Sequence, residues 1–360
     1  MGGRVAVVGA TGYIGGLTVG ELARRGVAVV AVGRNRLRLA ALAGGVEAKV
    51  ADVADTAALA GALEGCAAVV NCVGSFVDLG EAVVRAAIAA GAHYVDTSGE
   101  FPFQQRLFAA HDDRARAAGV AVVPGMAFYS APADLAAALA VRALGRPAEN
   151  IDIAYRLAGA RPSNGTVRTN LRRVGQPCPV RDGGRLVERR IGDDSRPFPF
   201  PEPYGPSPVA RWPGGEVLSV PRHTGAPSVA VFLAMPNAAS AVLRHHRPAA
   251  ALSRLARVVV GQRTGGPSEA ARARARFVVV AEARTGGDVA RGVGEGRDVY
   301  GVTAAACAEA AQRLTAAGAG GPAGVLAPAE AFDPAGFLDA LSAYLSWRVE
   351  GATAREPRSR

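Results

Sequence analysis

VAVVGATGYIGG, residues 5–16, is the stretch of sequence that decides the fold. Its apolar run leads directly into glycines at positions 9, 12 and 15, the pattern of a buried strand followed by a phosphate-binding turn. The first glycine permits a tight turn, the second lets the backbone approach a pyrophosphate, and the third lets a helix pack close to the strand. The free N–H groups and positive dipole end of that helix attract phosphates. The predicted dinucleotide site comprises Gly9, Thr11, Gly12, Tyr13, Ile14 and Gly15.

The first 125 residues repeat this alternation of apolar runs and stretches with helical spacing. The runs predict six strands, at 5–8, 27–32, 46–50, 67–73, 93–96 and 120–123. Strands that alternate with helices form βαβ units, whose right-handed crossovers build a mostly parallel sheet covered on both faces. The fold class predicted for this part is therefore α/β, a Rossmann-type doubly wound parallel sheet.

A change of composition near 147–152 marks a second region, predicted to be an α+β domain with a mainly antiparallel sheet. Residues 216–220 and 228–235 are predicted to be strands, and a hairpin is predicted to turn at Gly286–Gly287. The Pro-rich stretch 196–208 is unsuited to a central strand and is expected on the surface or over a cleft. Further on, the spacing predicts a helix from Tyr300 to Ala317 and an amphipathic stretch at 334–347.

The end of the second strand indicates which nicotinamide cofactor is bound. A NAD-specific site places an acidic residue there to accept hydrogen bonds from the ribose 2′-hydroxyl, whereas this chain has Gly33, Arg34 and Asn35. An arginine at this point pairs with a 2′-phosphate, so we expect NADP(H) to be preferred over NAD(H). Asp52, after the third strand, is expected near the adenine amino group. The end of the fourth strand is expected under the ribose–nicotinamide half, with Asn71, Cys72, Val73 and Gly74.

Composition excludes several other classes of protein. The formal net charge of +10 comes almost wholly from scattered arginines, with Lys49 the only lysine, and no basic block suits a nucleic acid. The four cysteines form no CxxC pair and the five histidines lack metal-ligand spacing, so we expect reduced thiols and no metal. Neither a signal peptide nor an apolar run long enough to cross a bilayer is apparent, which predicts a cytoplasmic protein. With one lysine, the chain also lacks the Tyr-x-x-x-Lys pair that short-chain dehydrogenases use for proton transfer.

Several stretches resemble the saccharopine dehydrogenase-like family, in the same order along the chain. They are GATGYIGG at 9–16, VVNCVG through YVDTSGE at 69–100, VVPGMAFYSAPADLAA at 122–137, SNGTVRT at 163–169, VPRHT at 220–224, DVYGVTAAACAEAAQRL and GVLAPAEAF. The sequence most resembles the group that contains bacterial trans-acting enoyl reductases, which reduce a carbon–carbon double bond for a synthase without its own reductase domain. One departure is Tyr129, where an acidic or small residue is expected, and it points to an altered substrate pocket.

The resemblance implies a division into domains and a set of partners. It implies a Rossmann domain, placed at residues 1–130, and a second domain for substrate contacts and dimerisation at 131–298. C-terminal helices at 299–350 are then expected to return to the Rossmann domain, and 351–360 to form a disordered tail. The implied assembly is a homodimer that takes a small-molecule substrate from a synthase or acyl carrier, without nucleic acid or membrane.

Polar residues at the carboxyl ends of the fifth and sixth strands are the candidates for chemistry, because ligands of parallel sheets bind at that edge. Hydride transfer also needs a source of a proton, which a phenol or an imidazole near the cofactor supplies. The candidate catalytic residues are Tyr129, His223 and Asp96. The candidate substrate-binding residues are Ser98, Glu100, Ser130 and Arg222.

Structural roles remain open for several of these residues. Asp96 and Asp134 also suit helix capping and strand-end hydrogen bonds, and Tyr129 also suits the wall of a core. Arg222 and His223 also suit a surface pair at a strand end. Farther along the chain, residues 164–166 (Asn164, Gly165, Thr166) are candidates for an anion-binding turn.

The predicted function is an NADPH-dependent reductase that transfers a hydride to an activated C=C bond of a specialised-metabolite or lipid precursor. One alternative is a saccharopine-type imine (C=N) reductase or amino-acid dehydrogenase. That alternative requires basic groups for a dicarboxylic amino acid, and the candidates are Arg168, Arg172 and Arg222. Another alternative is a non-catalytic NADP-binding partner of a synthase.

Overall fold

The computed structural model describes residues 3–42, 45–174, 176–245 and 265–351. Within these ranges, the six apolar runs of the N-terminal third form strands β1 (Arg4–Val8), β2 (Val29–Gly33), β3 (Glu47–Val50), β4 (Cys66–Asn71), β5 (His93–Asp96) and β6 (Ala121–Val123). Nearly all residues of β1, β2, β4, β5 and β6 are buried, as expected of parallel strands that helices cover on both faces. Strand β3 lies at the sheet edge and is largely exposed.

The six strands lie in the order 3-2-1-4-5-6, and a short strand Gly324–Val325, numbered β15 in chain order, adds beside β6. Every pairing in this sheet is parallel. Val5 of β1 pairs with Val29 on one side and with Ala68 on the other, so the strand order reverses at β1. That reversal is the topological switch point of doubly wound sheets, at which their ligands bind.

Helices α1 to α6 cross over between these strands: α1 (Tyr13–Arg24), α2 (Arg36–Ala40), α3 (Thr56–Leu63), α4 (Phe76–Ala89), α5 (Phe101–Ala110) and α6 (Asp112–Ala117). Alternate residues of a strand point to opposite faces of the sheet. Val7 accordingly joins one apolar cluster, with Leu22 of α1, and Val8 joins another, with Leu63 of α3. The sheet therefore lies between two helical layers, as a doubly wound fold requires.

A second sheet contains β7 (Asn150–Ala158), β8 (Pro177–Asp182), β9 (Arg185–Arg190), β10 (Arg196–Pro199), β11 (Pro206–Arg211), β12 (Ser228–Ala234), β13 (Arg276–Thr285), β14 (Asp288–Arg297) and β16 (Leu345–Gly351). Its described path is β10-β11-β12-β7-β13-β14-β16, with β8 beside β12 and β9 beside β8. Among the described pairs, β12 and β7 are parallel and the others are antiparallel. Together with the first sheet, this confirms the predicted fold class. The predicted hairpin turn at Gly286–Gly287 is also confirmed.

The remaining described α-helices are α7 (Ala131–Leu144), α8 (Asn164–Arg173), α9 (Glu216–Thr224), α10 (Asn237–Arg244), α11 (Glu269–Arg274), α12 (Val299–Ala317), α13 (Pro328–Ala331) and α14 (Pro334–Asp339). Helix α7 packs on β13 and β14, and α12 packs on α1, β4 and β5. The buried face of α12 is mostly alanine, which lets it lie close to the first sheet. Asp298 caps this helix, because its carboxylate accepts a hydrogen bond from the Gly301 amide at 2.9 Å.

Two local predictions, for 216–220 and for 334–347, are wrong. Residues 216–220 lie in helix α9 and not in a strand. The Pro-rich stretch 196–208 lies outside the centre of the sheet, as expected, and forms an edge hairpin of β10 and β11, since a proline without an N–H is tolerated in strands at the edge of a sheet. Residues 334–347 divide into the short helix α14 and the start of strand β16.

The C-terminal part of the chain contributes to both sheets. Strand β15 joins the first sheet and β16 joins the second, so residues 299–350 do not return wholly to the first domain. The boundaries 1–130 and 131–298 stay predictions. The predicted tail, 351–360, lies outside the described residues except for Gly351, which ends β16.

Candidate functional site at the carboxyl ends of the first sheet

The glycine-rich turn after β1 has no room for side chains. A Cβ atom on Gly15 would lie 2.2 Å from the carbonyl oxygen of Gly9, and a Cβ on Gly12 would lie 3.1 Å from the same atom. Gly9 has φ +82° and passes close to the backbone of Cys72, from which a Cβ would be 3.0 Å away. Side chains are therefore absent for steric reasons, and the backbone is open to a ligand.

The first turn of α1 offers its N–H groups to that ligand. Gly12 is the N-cap and provides no side-chain hydrogen bond, and no acidic residue lies in the first turn. The Tyr13 ring turns away, because its hydroxyl donates to the Pro267 carbonyl at 2.6 Å. Thr11 and Ile14 are half-buried on either side of the turn. An uncapped helix N-terminus above a side-chain-free cradle fits a pyrophosphate.

The residues predicted to contact the adenosine half of the cofactor lie close together at the ends of β2 and β3. The Arg34 side chain is 79% exposed, and its Nη1 lies 3.7 Å from Asp52 Oδ2. Asn35 caps α2 by accepting from the Arg38 amide at 3.0 Å, and Asp52 accepts from the Ala54 amide at 3.0 Å. Arg34 therefore presents an exposed guanidinium with one long ion pair, whereas Asn35 and Asp52 already accept hydrogen bonds from the local backbone.

Arg34→Ala tests the predicted preference for the phosphorylated cofactor. Loss of a charged hydrogen bond of about 1.5–3 kcal/mol raises the Kd for NADPH about 10- to 100-fold. The Kd for NADH should stay unchanged, because NADH has no 2′-phosphate. Isothermal titration calorimetry with both nucleotides measures the two values. Equal NADPH affinity in the wild type and the variant would show that Arg34 does not bind the phosphate.

The end of β4 is tied by hydrogen bonds and is uncharged. Asn71 is buried, accepting from the Val73 amide at 3.0 Å and donating to the Tyr94 hydroxyl at 3.0 Å. Burial raises the pKa of Cys72 to about 12, so its side chain stays a thiol. Gly74 is exposed, and a Cβ there would meet nothing within 4 Å. This edge provides a fixed wall for a ligand and no acid or base.

Asp96 and Ser98 hold the loops that follow β5 and β6. Asp96 Oδ1 accepts from the Ser98 amide at 2.8 Å and from the Gly125 amide at 2.9 Å. The Ser98 hydroxyl accepts from the Glu100 amide at 3.0 Å. Burial raises the pKa of Asp96 to about 6, although these amides act in the opposite direction. The contacts favour the structural alternative for both residues, and their chemical roles stay predictions.

Glu100 and Ser130 also bond to their surroundings. The Glu100 carboxylate accepts from the amides of Phe76 at 3.3 Å and Val77 at 3.1 Å, and so caps the N-terminus of α4. Ser130 has a φ of 124°, and its amide donates to the Tyr155 hydroxyl at 3.0 Å. The structure brings both residues to the carboxyl edge of the sheet, where their substrate-binding role stays a prediction.

Tyr129 is a candidate whose hydroxyl forms no hydrogen bond with the described residues. Its half-buried ring packs against Phe128, with centroids 4.9 Å apart, and against Tyr155, with centroids 4.7 Å apart. Among the residues that the structure describes, none is a hydrogen-bond partner of its hydroxyl. Burial raises the pKa of this phenol, the charge of Arg173 lowers it, and the result lies above the ordinary value. Tyr129 therefore remains protonated at neutral pH.

Sequence reasoning missed the buried group that supports Tyr129. The Tyr155 hydroxyl accepts from Ser130 and donates to the Glu216 carboxylate. Burial raises the pKa of Glu216 above its ordinary value. Tyr155 lies in β7, Ser130 is the N-cap of α7, and Glu216 begins α9. Because they are far apart in the sequence, no local motif predicts that they meet. The Gly214–Gly215 pair before Glu216 is the sequence feature that indicates close packing here, since a Cβ on Gly215 would lie 1.7 Å from the Gln104 side chain.

Arg222 and His223 lie on α9, and their contacts tie this helix to its neighbours. Arg222 Nε donates to Glu330 Oε2 at 2.8 Å, and His223 Nε2 lies 3.2 Å from Asp134 Oδ1. Asp134 also accepts from the Ala329 amide at 2.8 Å. The strand-end surface pair considered from the sequence is wrong, because the residues are helical and His223 is mostly buried. The functional roles of Arg222 and His223 stay predictions, and these contacts favour structural ones.

The His223–Asp134 pair predicts a pH dependence of stability. Burial alone would lower the pKa of His223, but the Asp134 charge outweighs it and the pKa lies above 6.5. The stabilisation is then complete below pH 6.5 and is lost as the pH rises through the folded-state pKa. His223→Gln should therefore reduce the free energy of unfolding more at about pH 5.5 than at about pH 9.

His93→Gln is the control for this experiment, because its pKa shift has the opposite sign. Burial lowers the pKa of His93, whose Nδ1 accepts from the Ala121 amide at 3.0 Å. Its contribution to stability is lost as the pH falls. Urea unfolding at both pH values measures the two differences. Identical pH dependence in the wild type and the His223 variant would contradict the assignment.

The turn at 164–166 is capped from within the chain. The Ser163 hydroxyl accepts from the Thr166 amide at 3.2 Å, and the Thr166 hydroxyl lies 3.0 Å from that of Tyr300. Its role as an anion-binding turn stays a prediction. In the described part of the chain, no three His, Cys, Asp or Glu side chains are grouped to hold a metal ion, and the four cysteines are free and buried.

Comparison with known proteins identifies the first domain. Residues 5–123 match the family model described as the saccharopine dehydrogenase NADP binding domain. These residues belong to that family. The resemblance predicted from the sequence is thereby confirmed, and so is the predicted cofactor, NADP(H).

Two relatives each match about a third of this chain. A saccharopine dehydrogenase-like oxidoreductase of Bos taurus is 28% identical over 152 residues, which cover 36% of this chain and 35% of that protein. A Mycobacterium tuberculosis protein named as a trans-acting enoyl reductase is 33% identical over 140 residues, which cover 36% of this chain and 33% of that protein. The matches therefore span about a third of the length of these relatives.

One solved structure extends the likeness beyond the NADP-binding domain. The apo saccharopine dehydrogenase (L-Glu forming) of Saccharomyces cerevisiae aligns with a TM-score of 0.64 over 97% of this chain and 100% of that chain. The sequence identity is 13%, so the likeness concerns the fold. It supports the two-sheet architecture described above.

Proposed function

We propose that the chain is an NADPH-dependent reductase of activated C=C bonds. The observation that carries this proposal is the hydroxyl of the half-buried Tyr129, which has no hydrogen-bond partner among the described residues and lies at the carboxyl edge of an NADP-binding sheet. The turn at Gly9, Gly12 and Gly15 would hold the pyrophosphate, and Arg34 the 2′-phosphate. These residues fit NADPH because the cradle is free of side chains and the helix above it is uncapped.

The residues of the chain would then complete the reduction. When bound at this turn, NADPH would supply the hydride that the β-carbon of the double bond gains, and NADP⁺ would remain. The electron pair of that bond moves onto the conjugated electron-withdrawing group. Tyr129 then gives its proton to the α-carbon and regains one from water. The rings of Phe128 and Tyr155, which pack edge-on and tilted against Tyr129, would keep the phenol in place for this step.

The arginines that were candidates for binding a dicarboxylic substrate already have partners. Their contacts favour the C=C reaction over the saccharopine-type alternative. Arg172 is bound to Asp78 at 2.9 Å, and Arg222 to Glu330 at 2.8 Å. Arg168 also has an interaction partner. A substrate with several carboxylates would have to displace these contacts, whereas a neutral enoyl group would not.

NADPH oxidation with two acceptors tests the proposal. The first acceptor is crotonyl N-acetylcysteamine thioester, and the second is α-aminoadipate semialdehyde mixed with glutamate, which forms an imine. We expect oxidation with the thioester and none with the imine. Oxidation with the imine alone would favour the saccharopine-type reaction. Tight NADPH binding without oxidation by either would favour a non-catalytic partner of a synthase.

Assembly and location also belong to the proposal. We propose a homodimer in the cytoplasm, supplied with substrate by a synthase or acyl carrier. Among the described helices, none has the length and apolar character to cross a bilayer. Sedimentation of the purified protein tests the dimer, and a pull-down with an acyl carrier protein tests the supply route.

A further inference from the structure

Arg173 lies at the last turn of α8 and reaches over the carboxyl edge of the first sheet. Its Nη2 donates to the carbonyl oxygen of Gly99, in the loop after β5. A Cβ on Gly99 would be 2.7 Å from that nitrogen, so the arginine crosses where the loop has no side chain. The side chain is half-buried, and it thus places a guanidinium between the two sheets, beside the proposed site.

This guanidinium has no counter-ion in the described part of the chain. No carboxylate oxygen there lies within 4.0 Å of it. The neighbouring carboxylates are already engaged, with Glu100 capping α4 and Glu216 accepting from Tyr155. Burial lowers the pKa of Arg173, although the charge of Glu100 acts in the opposite direction. A partly desolvated cation with one carbonyl acceptor has donors left for a ligand.

Arg172, the residue before Arg173, differs from it in exposure and in ion pairing. Arg172 is exposed and forms an ion pair with Asp78 at 2.9 Å. Arg173 instead lies near Tyr129, close enough for its charge to lower the pKa of the phenol. The carboxyl edge of the first sheet thus holds both a proton donor and a cation whose charge acts on it.

We propose that Arg173 binds the carbonyl oxygen conjugated to the bond that is reduced, which makes the substrate an α,β-unsaturated carbonyl compound. This inference rests on the proposed reductase function. As the β-carbon gains hydrogen, the electron pair of the double bond moves onto this oxygen, and the guanidinium stabilises the developing negative charge. Tyr129 protonates the α-carbon, and the carbonyl reforms. One arginine is sufficient to bind one carbonyl oxygen. It does not balance the charge of a substrate with several carboxylates.

Substitution of Arg173 tests this assignment by kinetics. With crotonyl N-acetylcysteamine thioester, Arg173→Gln should lower kcat about 100-fold or more. The Kd for NADPH should not change. Arg172→Gln is the matched control and should leave kcat within about two-fold, as a surface substitution does. Guanidinium chloride added to Arg173→Gly should restore turnover, which a merely structural role would not allow.

A binding measurement separates this inference from the reductase function. Butyryl N-acetylcysteamine thioester, the saturated product, should bind the NADP⁺ complex of the wild type and of Arg173→Lys, but not that of Arg173→Gln. If the wild type reduces the crotonyl thioester and Arg173→Gln does so at the same rate, the inference is overturned and the function stands. If the wild type binds the butyryl thioester through Arg173 but never oxidises NADPH, the reductase function and the role of Arg173 in reduction fail together, and only carbonyl binding by Arg173 stands.

Discussion

One methyl group added at Gly15 is expected to abolish measurable NADPH binding, whereas the same group added at Gly16 leaves binding unchanged. A Cβ at Gly15 would lie 2.2 Å from the Gly9 carbonyl oxygen and 3.0 Å from the Ala10 Cα. These are backbone atoms, so relief requires the turn itself to move. At Gly16, the nearest atom to a Cβ is the Ala10 carbonyl oxygen at 3.7 Å, which is an ordinary contact.

Calorimetry with NADPH and thermal unfolding together measure this difference. Overpacking at Gly15 should destabilise the fold by about 1–3 kcal/mol. Gly16→Ala should stabilise it by up to about 1 kcal/mol, because alanine is the better residue in a helix. A shift of the melting temperature without loss of NADPH affinity in Gly15→Ala would show that the nucleotide does not contact this turn.

The first sheet could be predicted from the sequence because its strands are buried on both faces. Continuous apolar runs then mark them without help from tertiary contacts. Strand β15 is the exception, since Gly324–Val325 is too short to have a pattern. Its place beside β6 depends on contacts made after the chain has folded.

The errors in the second region have a common cause, which is that short patterns fit two structures. Val217 and Val220 are three residues apart and both buried, so they form the inner face of helix α9. The same letters, read alone, resemble a β-rich run. The two preceding glycines, 214 and 215, leave room for the side chains of Glu216 and Gln104, and the spacing of apolar residues does not indicate the tertiary contact with Gln104.

Some residues of the candidate site are predictable from local sequence, and others are not. The cofactor residues follow a local motif, and the structure brings the predicted ones together at the ends of β1, β2, β3 and β4. Arg173, Tyr155 and Glu216 lie in three separate elements and occur in no motif, so only the folded chain reveals that they surround Tyr129. The carboxylates of Asp96 and Glu100 made them candidates for catalysis and substrate binding, but both already accept hydrogen bonds from backbone amides.

Tyr129→Phe is expected to lower kcat for the crotonyl thioester about 100- to 1,000-fold, because it removes the proposed proton donor. The KM for the thioester and the Kd for NADPH should change little. The phenyl ring keeps its packing against Phe128 and Tyr155, and no described group loses a hydrogen-bond partner. Stability should therefore stay within about 0.5 kcal/mol of the wild type.

Tyr155→Phe is the matched control, because it removes a hydroxyl from the neighbouring ring. That hydroxyl bridges the Ser130 amide and the Glu216 carboxylate, both of which are buried. Its loss should destabilise the fold by about 1–3 kcal/mol and reduce kcat much less than the Tyr129 change does. The two variants are thus expected to lose different properties, one its turnover and the other its stability.

The pH profile adds a further test of the same assignment. Because burial holds the pKa of Tyr129 above its ordinary value of 10.0, the phenol stays protonated through neutral and mildly alkaline pH. The wild-type kcat should then show no loss of the proton donor below about pH 10. A donor with an ordinary histidine pKa would instead give a decline near neutrality. A decline there, or a Tyr129→Phe variant as active as the wild type, would move the proton donor to another residue, with His223 the next candidate.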